Sequence, residues 1–386
     1  MGLRFGLGAL AVACACSMLA CEVGGLVGSN ASGDGTGGSG GSDDGTPTSG
    51  GSTGATSLET GVEGSGSDTT GFRFDVALPD APASCMPPMY DACDGADEDP
   101  FHALGLGCPG DPGVQGSFRG HPSALMVQHG QLGTSGEYAP REGERFVVLS
   151  TGIAAQLPRT PEELKLEDPD CNPRSCPSTQ HSDEVLGVLP EPIDVRRVSD
   201  SGVDCKDDPG LIGTGDCSNS LEDEFLRGGG AYDYAELRFS TAVPIGVDGL
   251  SYEFAFFTVE YPDYVNHAAP YSDMYLAWLE SEAWTGNISF DALGHAITVN
   301  GVLLDYKDAP TSACPDCNAP ELAGFAMQGH GATRWLNTTA PLQAGELVTL
   351  VFAIFDMNNG VYDSLVALDH FEWTCSGAPP FTTPVG

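Results

Sequence analysis

Apolar and polar residues alternate with period two along several short stretches, most of them in the second half of the chain. Tyr234-Ala-Glu-Leu-Arg-Phe-Ser240 alternates, and so does the run from Ser364 to Trp373. Leu250 to Val259 and Asp273-Met-Tyr-Leu-Ala-Trp-Leu279 are aromatic-rich runs of strand length. Leu347 to Phe355 is nearly continuously apolar, and Arg145-Phe-Val-Val-Leu-Ser150 predicts a further strand. Within Ala296 to Leu304, Asn300-Gly301 lies between apolar flanks, the dipeptide that a tight hairpin turn prefers. No stretch shows a convincing helical period. Many short strands separated by turn residues predict an all-β fold, an antiparallel, jelly-roll-like β-sandwich.

The pattern breaks in two places. Gly24 to Gly71 holds 17 Gly, 9 Ser and 8 Thr in 48 residues, with no aromatic residue and no Lys or Arg. Such a stretch buries too little apolar area to offset its ordering entropy, so a disordered tether is expected. As a Gly/Ser coil it reaches roughly 40 Å on average and about 160 Å fully extended. The segment 158–230 is polar, Pro-rich and acidic, carries four cysteines, and reads as a disulfide-pinned loop insertion. The expected organisation is a signal peptide over 1–20, tether over 21–71, a small Cys-containing segment over 72–122, the sandwich over 123–376 and a tail over 377–386.

The first 20 residues carry one cation, Arg4, followed by an uncharged apolar stretch, the flanks and length of an export signal. It ends Met18-Leu19-Ala20-Cys21, small and apolar residues before a cysteine. This resembles a bacterial lipobox, with Cys21 as the lipidated residue. Glu22 follows in place of the Asp that often retains such proteins at the inner membrane, so the resemblance implies a lipid-anchored protein of the outer membrane or cell surface. No later segment is long and apolar enough to span a bilayer as a helix.

Charge narrows the partners. Lys and Arg total 15 against 54 Asp and Glu, a formal net charge of -39. A nucleic-acid partner is not expected, because no stripe of cations replaces phosphate counterions. Electrostatic docking on anionic lipid is excluded on the same ground, which leaves the lipid as the membrane contact. Of 13 cysteines, Cys14 and Cys16 leave with the signal and Cys21 takes lipid. Ten remain: Cys85, Cys93, Cys108, Cys171, Cys176, Cys205, Cys217, Cys314, Cys317 and Cys375. An even number in an exported chain favours disulfides. Connectivity is open; local pairing would join Cys171 to Cys176, Cys205 to Cys217 and Cys314 to Cys317. Cys314-Pro-Asp-Cys317 sits in loop-like flanks without a second metal-ligand pair, which favours a staple over a redox or zinc site.

Catalytic motifs are absent from the sequence: no His-Glu-x-x-His, no phosphate-binding Lys loop, and a Gly-x-Ser-x-Gly match at Ser39 only within the tether. Two acidic constellations stand out where long apolar strands end. One is Glu260, Asp263, Asn266 and the following Asp273; the other is Asp356, Asn358 and Asp363 around Gly360. Asp and Asn oxygens around a turn suit a hard cation, and Ca²⁺ is the cofactor they would take. The competing reading is Asx-turn capping, in which these side chains bond their own backbone. The run Asp91, Asp94, Asp97 and Asp99 reads as a solvated acidic loop. Trp284 and Trp335 are the aromatic residues a sugar-stacking face would use, with core packing as the alternative.

A family resemblance follows from motifs in order: Leu149-Ser-Thr-Gly152, Tyr232-Asp-Tyr-Ala-Glu-Leu-Arg-Phe239, Leu250 to Tyr264, Tyr271-Ser-Asp-Met-Tyr275, Asn287-Ile288, and Phe355-Asp356 through Val366. Together they resemble the choice-of-anchor L domain of bacterial surface proteins, over roughly Ser123 to Trp373. The family's Ser-Glu-Glu-Tyr-Pro-Glu-Tyr core appears as Thr258-Val-Glu-Tyr-Pro-Asp-Tyr264, with Val259 in place of an acid. The resemblance implies a displayed β domain for adhesion or matrix contact, binding a surface glycan or protein ligand, with no established catalytic residues. A carbohydrate-binding module and a secreted hydrolase are the alternative functions.

Overall fold

The alternating run beginning at Ala231 forms a long strand because each inward residue finds an apolar neighbour across the sheet. It is β4 in the computed structural model, which describes residues 85–88, 91–95, 97–169, 176–177, 185–195, 221, 225, 229–265 and 272–385. Backbone contacts divide the chain into Met1–Asp75 and Val76–Gly386, and all described residues lie in the second unit. The signal segment, Cys21 and the tether up to residue 71 lie outside them, as do Asn266, Cys171, Cys205 and Cys217.

The described strands, in chain order, are β1 (Gln115–Arg119), β2 (Leu125–His129), β3 (Arg145–Ser150), β4 (Ala231–Ala242), β5 (Gly249–Thr258), β6 (Met274–Glu280) and β7 (Thr285–Asn287). They continue as β8 (Ile297–Thr298), β9 (Tyr306–Lys307), β10 (Gly331–Ala332), β11 (Leu336–Pro341), β12 (Leu347–Met357), β13 (Ser364–Thr374) and β14 (Phe381–Pro384). One sheet has the order β1-β4-β12-β6-β7, with β8 also on β6; the other runs β14-β11-β5-β13-β3-β2, with β10 on β5 and β9 on β10. Pairing is antiparallel throughout both sheets. The expected antiparallel two-sheet fold is present, and six predicted strands fall on β3, β4, β5, β6, β12 and β13.

The main core lies between the sheets. Ala235, Leu237 and Phe239 of β4, Leu350, Phe352 and Ile354 of β12, and Tyr275, Ala277 and Leu279 of β6 face Phe254 and Phe256 of β5, Val366 and Leu368 of β13, and Val147 and Leu149 of β3. Burying each large apolar side chain contributes about 1.5–3 kcal/mol. Outer faces are covered too. Ala255 and Phe257 of β5 and Phe146 of β3 pack against Tyr138, Leu157, Leu164 and Phe325. On the other sheet, Leu276, Val351 and Phe355 pack with Leu189, Ile193, Leu221 and Phe225 of the insertion. Coverage of both faces explains why β5 is buried at every position and why Phe254-Ala-Phe-Phe257 within it does not alternate.

Three features differ from the sequence expectations. The Asn300-Gly301 hairpin does not form. Gly301 N donates to Thr298 O at 3.0 Å in a turn, but β8 pairs with β6, where Tyr275 meets Ile297. Burial of Ile297, Val299 and Leu304 in the main core decides that register over the local turn preference. Among the described residues, α-helix runs over α1 (Pro100–Ala103) and α2 (Pro161–Glu167). They are too short to give a period but carry start signals: Asp99 caps α1, and Thr160 and Glu163 form a capping box on α2. The segment before residue 123 also joins the sandwich, since β1 pairs with β4 and Leu104 and Leu106 enter the main core.

Three disulfides brace the described residues: Cys85–Cys375, Cys93–Cys108 and Cys314–Cys317. The last is the staple expected from its loop flanks. Cys176 is also disulfide-bonded. The expected pairs Cys171 with Cys176 and Cys205 with Cys217 involve residues outside the described ones.

Candidate functional site

The inward-facing stripe of six strands changes chemistry at the same end of the sandwich. Along β12 it runs Leu350, Phe352, Ile354 and then Asp356; along β5 it runs Phe254, Phe256, Thr258 and then Glu260. Before β6, the stripe of Ala277 and Tyr275 ends in Asp273; along β4 the stripe of Leu237 and Ala235 ends in Asp233. Val147 and Leu149 of β3 lead to Thr151, and Leu368 and Val366 of β13 lead back to Ser364, with Asp363 next to it. The pairing registers place these positions together, since Asp356 lies opposite Tyr232, Phe355 opposite Met274, Ser364 opposite Thr258 and Leu365 opposite Ser150.

A β-bulge shapes the first of these junctions. The register on β4 shifts between the Ile354–Ala235 and Asp356–Tyr232 pairs. The extra residue takes a left-handed backbone at Asp233, φ 48°, a conformation Asp tolerates better than most residues.

The result is five carboxylates, Asp233, Glu260, Asp273, Asp356 and Asp363, each no more than 5% exposed. Asp273 is tied in from three directions. Its Oδ2 accepts from the Ser364 hydroxyl at 2.7 Å, its Oδ1 accepts from Met357 N at 3.3 Å, and its own N donates to Glu260 Oε2 at 3.0 Å. Ser364 is held in turn by Thr151, whose hydroxyl accepts from Ser364 N at 3.0 Å. Asp356 stands apart: neither carboxylate oxygen has a donor in hydrogen-bond geometry, and both are fully enclosed.

Burial dominates the electrostatics. It raises Asp356 well above the usual carboxylate range, and the charges of Asp273 and Asp363 raise it further, with the Thr151 hydroxyl a smaller opposing influence. Burial also raises Asp273, to about 7, and lifts Glu260 strongly, with the Asp273 charge adding to the latter. No basic side chain is among the principal influences on these three groups. Among the described residues, no group of three or more acidic, His or Cys side chains is arranged to hold a metal ion.

The two acidic constellations of the sequence are therefore partly joined and partly separated. Glu260, Asp273, Asp356 and Asp363 converge. Asp263 is exposed, and Asn358 is half-buried at φ 73° with its N donating to Gly230 O at 3.3 Å, a turn role. Glu260 and Asp263 both follow the last residue of β5, where the turn buries Glu260 against Asp273 and leaves Asp263 on the outside. Asp233 joins the cluster although the sequence reading did not number it among candidate ligands. Its place on the Ala235, Leu237 and Phe239 stripe was the available signal.

Elsewhere the acidic residues serve the backbone. Asp94 is buried, not solvated, and accepts from Glu144 N and Arg145 N at 2.7 Å each. Asp99 caps α1, and Asp97 pairs with His102 at 3.0 Å. A second charged group sits where β13 carries an irregularity: Glu253 lies between Arg141 Nε at 2.5 Å and His370 Nδ1 at 3.1 Å. Trp284 and Trp335 are buried in the cores, Trp335 edge-on to Phe146, so neither offers a stacking face. Comparison with family models, with curated proteins and with solved structures finds no match to this chain.

Proposed function

We propose that the protein is a non-catalytic, lipid-anchored protein of the cell envelope whose β-sandwich makes adhesive or matrix contacts, with Ca²⁺ stabilising the head. The carrying observation is the two-sheet body cross-linked by Cys85–Cys375, Cys93–Cys108 and Cys314–Cys317. Disulfides persist in oxidising compartments, which supports export. The export signal and Cys21 supply an anchor, and the Gly/Ser/Thr-rich segment to residue 71 supplies reach.

The resemblance to the choice-of-anchor L domain supports the same reading. Its motifs fall on the frame strands β3, β4, β5, β6, β12 and β13 and on the residues that end them in carboxylates. The hydrolase alternative requires two carboxylates lining a cleft, whereas the acids brought together here are enclosed. A glycan partner would need a platform other than Trp284 or Trp335.

The test is made in a Gram-negative host. Mass spectrometry of the N-terminal peptide should find an acylated Cys21, externally added protease should remove the head from intact cells, and Cys21→Ala should release it. An unacylated start, or a head protected in intact cells, would refute the lipid-anchored display. Loss of cell attachment to matrix in a deletion strain, restored by the wild type but not by Cys21→Ala, tests the adhesive part.

A further inference from the structure

We propose that a single Ca²⁺ binds inside the sandwich at its acidic end, coordinated by carboxylates of Asp233, Asp273, Asp356 and Asp363 from both sheets, with Glu260 as the positioning residue. This deepens the calcium part of the function proposed above and does not depend on the lipid anchor.

The argument begins with Asp356. It is fully buried on the main-core side of β12, and both its oxygens lack a hydrogen-bond donor. Leaving a buried charged acceptor unsatisfied costs more than 1–3 kcal/mol, roughly the penalty for a neutral group. The groups acting on it most strongly after burial are the carboxylates of Asp273 and Asp363, with Asp233 also contributing. Like charges gathered in a water-poor space require a counter-charge or protons. No Lys, Arg or His is prominent among the influences on Asp356, Asp273 or Glu260. A cation that takes several oxygen ligands in flexible geometry meets that requirement in one step.

The frame suits such an ion. Asp273 is oriented by the Ser364 hydroxyl, by Met357 N and, through its own N, by Glu260, which leaves further lone pairs on its oxygens. Asp233 is delivered by the β4 bulge. The donors are all oxygens, the chemistry of Ca²⁺ and not of zinc or copper. As they stand, no three of the described acidic side chains are arranged to hold a metal ion, so the proposed binding requires side-chain rotation to bring these carboxylates together, which would join β4, β6 and β12 to the start of β13. This set replaces the loop residues Asp263 and Asn358, which face solvent or close a turn.

The experiment uses the full chain, wild type, Asp356→Asn and Asp263→Asn, stripped with chelator and returned to Ca²⁺. Wild type should bind one Ca²⁺ per chain by equilibrium dialysis. Its Tm should rise by about 5–10 °C when Ca²⁺ stands about 100-fold above its dissociation constant. Terbium(III) luminescence excited through aromatic side chains should saturate at one equivalent and be displaced by Ca²⁺. Asp263→Asn should behave as wild type. Asp356→Asn should lose the Ca²⁺ response yet melt at or above wild type in chelator, because it removes a repelled charge. That inversion separates a lost ligand from a misfolded variant. Equal wild-type midpoints in Ca²⁺ and chelator with no bound Ca²⁺, or a full Ca²⁺ response in Asp356→Asn, overturn the site. Acylated Cys21 with no Ca²⁺ binding would remove the calcium site and leave the anchor standing; Ca²⁺ binding without acylation would do the reverse.

Discussion

The Ser364 hydroxyl donates to Asp273 Oδ2 at 2.7 Å, joining the start of β13 in one sheet to the start of β6 in the other. Both residues are buried, so the bond exchanges little with water. Ser364→Ala leaves that oxygen without its hydroxyl donor and should cost about 1–3 kcal/mol of unfolding free energy. Urea melts in chelator check this, and an unchanged midpoint would mean that Asp273 finds another donor.

Gly152 abuts the Asp363 carboxylate so closely that a Cβ there would overlap it. Asp363 is fully buried and cannot swing into solvent. Gly152→Ala should therefore destabilise by about 3 kcal/mol or more, in the range of severe overpacking. Gly152→Ala combined with Asp363→Ala should be less destabilised than the sum of the two single variants. Additive losses in that double-mutant cycle would show that the overlap is relieved elsewhere.

These relationships show which parts of the site the sequence carried. Asp356 and Asp273 were visible because apolar strands meet turns at them; alternation placed β4 and β13, and apolar or aromatic-rich runs placed β3, β5, β6 and β12, within a few residues. Asp233 was visible only once its stripe with Ala235 and Leu237 was known to face the partner sheet and the bulge was seen. The failed hairpin at Asn300-Gly301 shows the converse. A local turn preference is small beside the burial of Ile297, Val299 and Leu304, which draws β8 onto β6. Asp263 looked equivalent to Glu260 in sequence; both follow β5, but Glu260 is held inward, its N donating to the Thr258 hydroxyl and its Oε2 accepting from Asp273 N, while Asp263 stays exposed in the turn.

The Cys85–Cys375 disulfide closes a loop with a sequence separation of 290, against 3 for Cys314–Cys317. Constraining the longer loop removes more freedom from the unfolded chain. Cys85→Ser with Cys375→Ser should lose up to about 5 kcal/mol, and Cys314→Ser with Cys317→Ser about 2 kcal/mol or less. Denaturant midpoints under oxidising conditions should rank the variants in that order. The reverse ranking would mean that the short staple holds its loop against the core and that chain entropy is not the governing effect.

His370 gives the protein a pH-dependent brace remote from the carboxylate cluster. Its ring nitrogens pair with Glu253 and Glu372 at 3.1 Å each, and these bonds raise it from 6.5 to about 10 against the opposing effect of partial burial. Arg141 also grips Glu253, while Asp369, whose carboxylate accepts from His370 N, and half-buried Glu142 complete the charged surroundings. Asp369 is itself raised to about 8 by burial, so its ionisation adds negative charge near His370 over the same range. A base whose folded pKa exceeds its unfolded value contributes stability that is complete below the unfolded pKa and is lost as pH rises through the folded one. The brace should therefore be full below about pH 6.5 and gone above about pH 10. His370→Asn keeps a residue tolerant of the left-handed backbone at φ 54° while removing the imidazolium. The Tm difference between wild type and this variant should be largest near pH 6 and should narrow steadily toward pH 10. A constant difference across that range would show that His370 acts through packing and not through its charge.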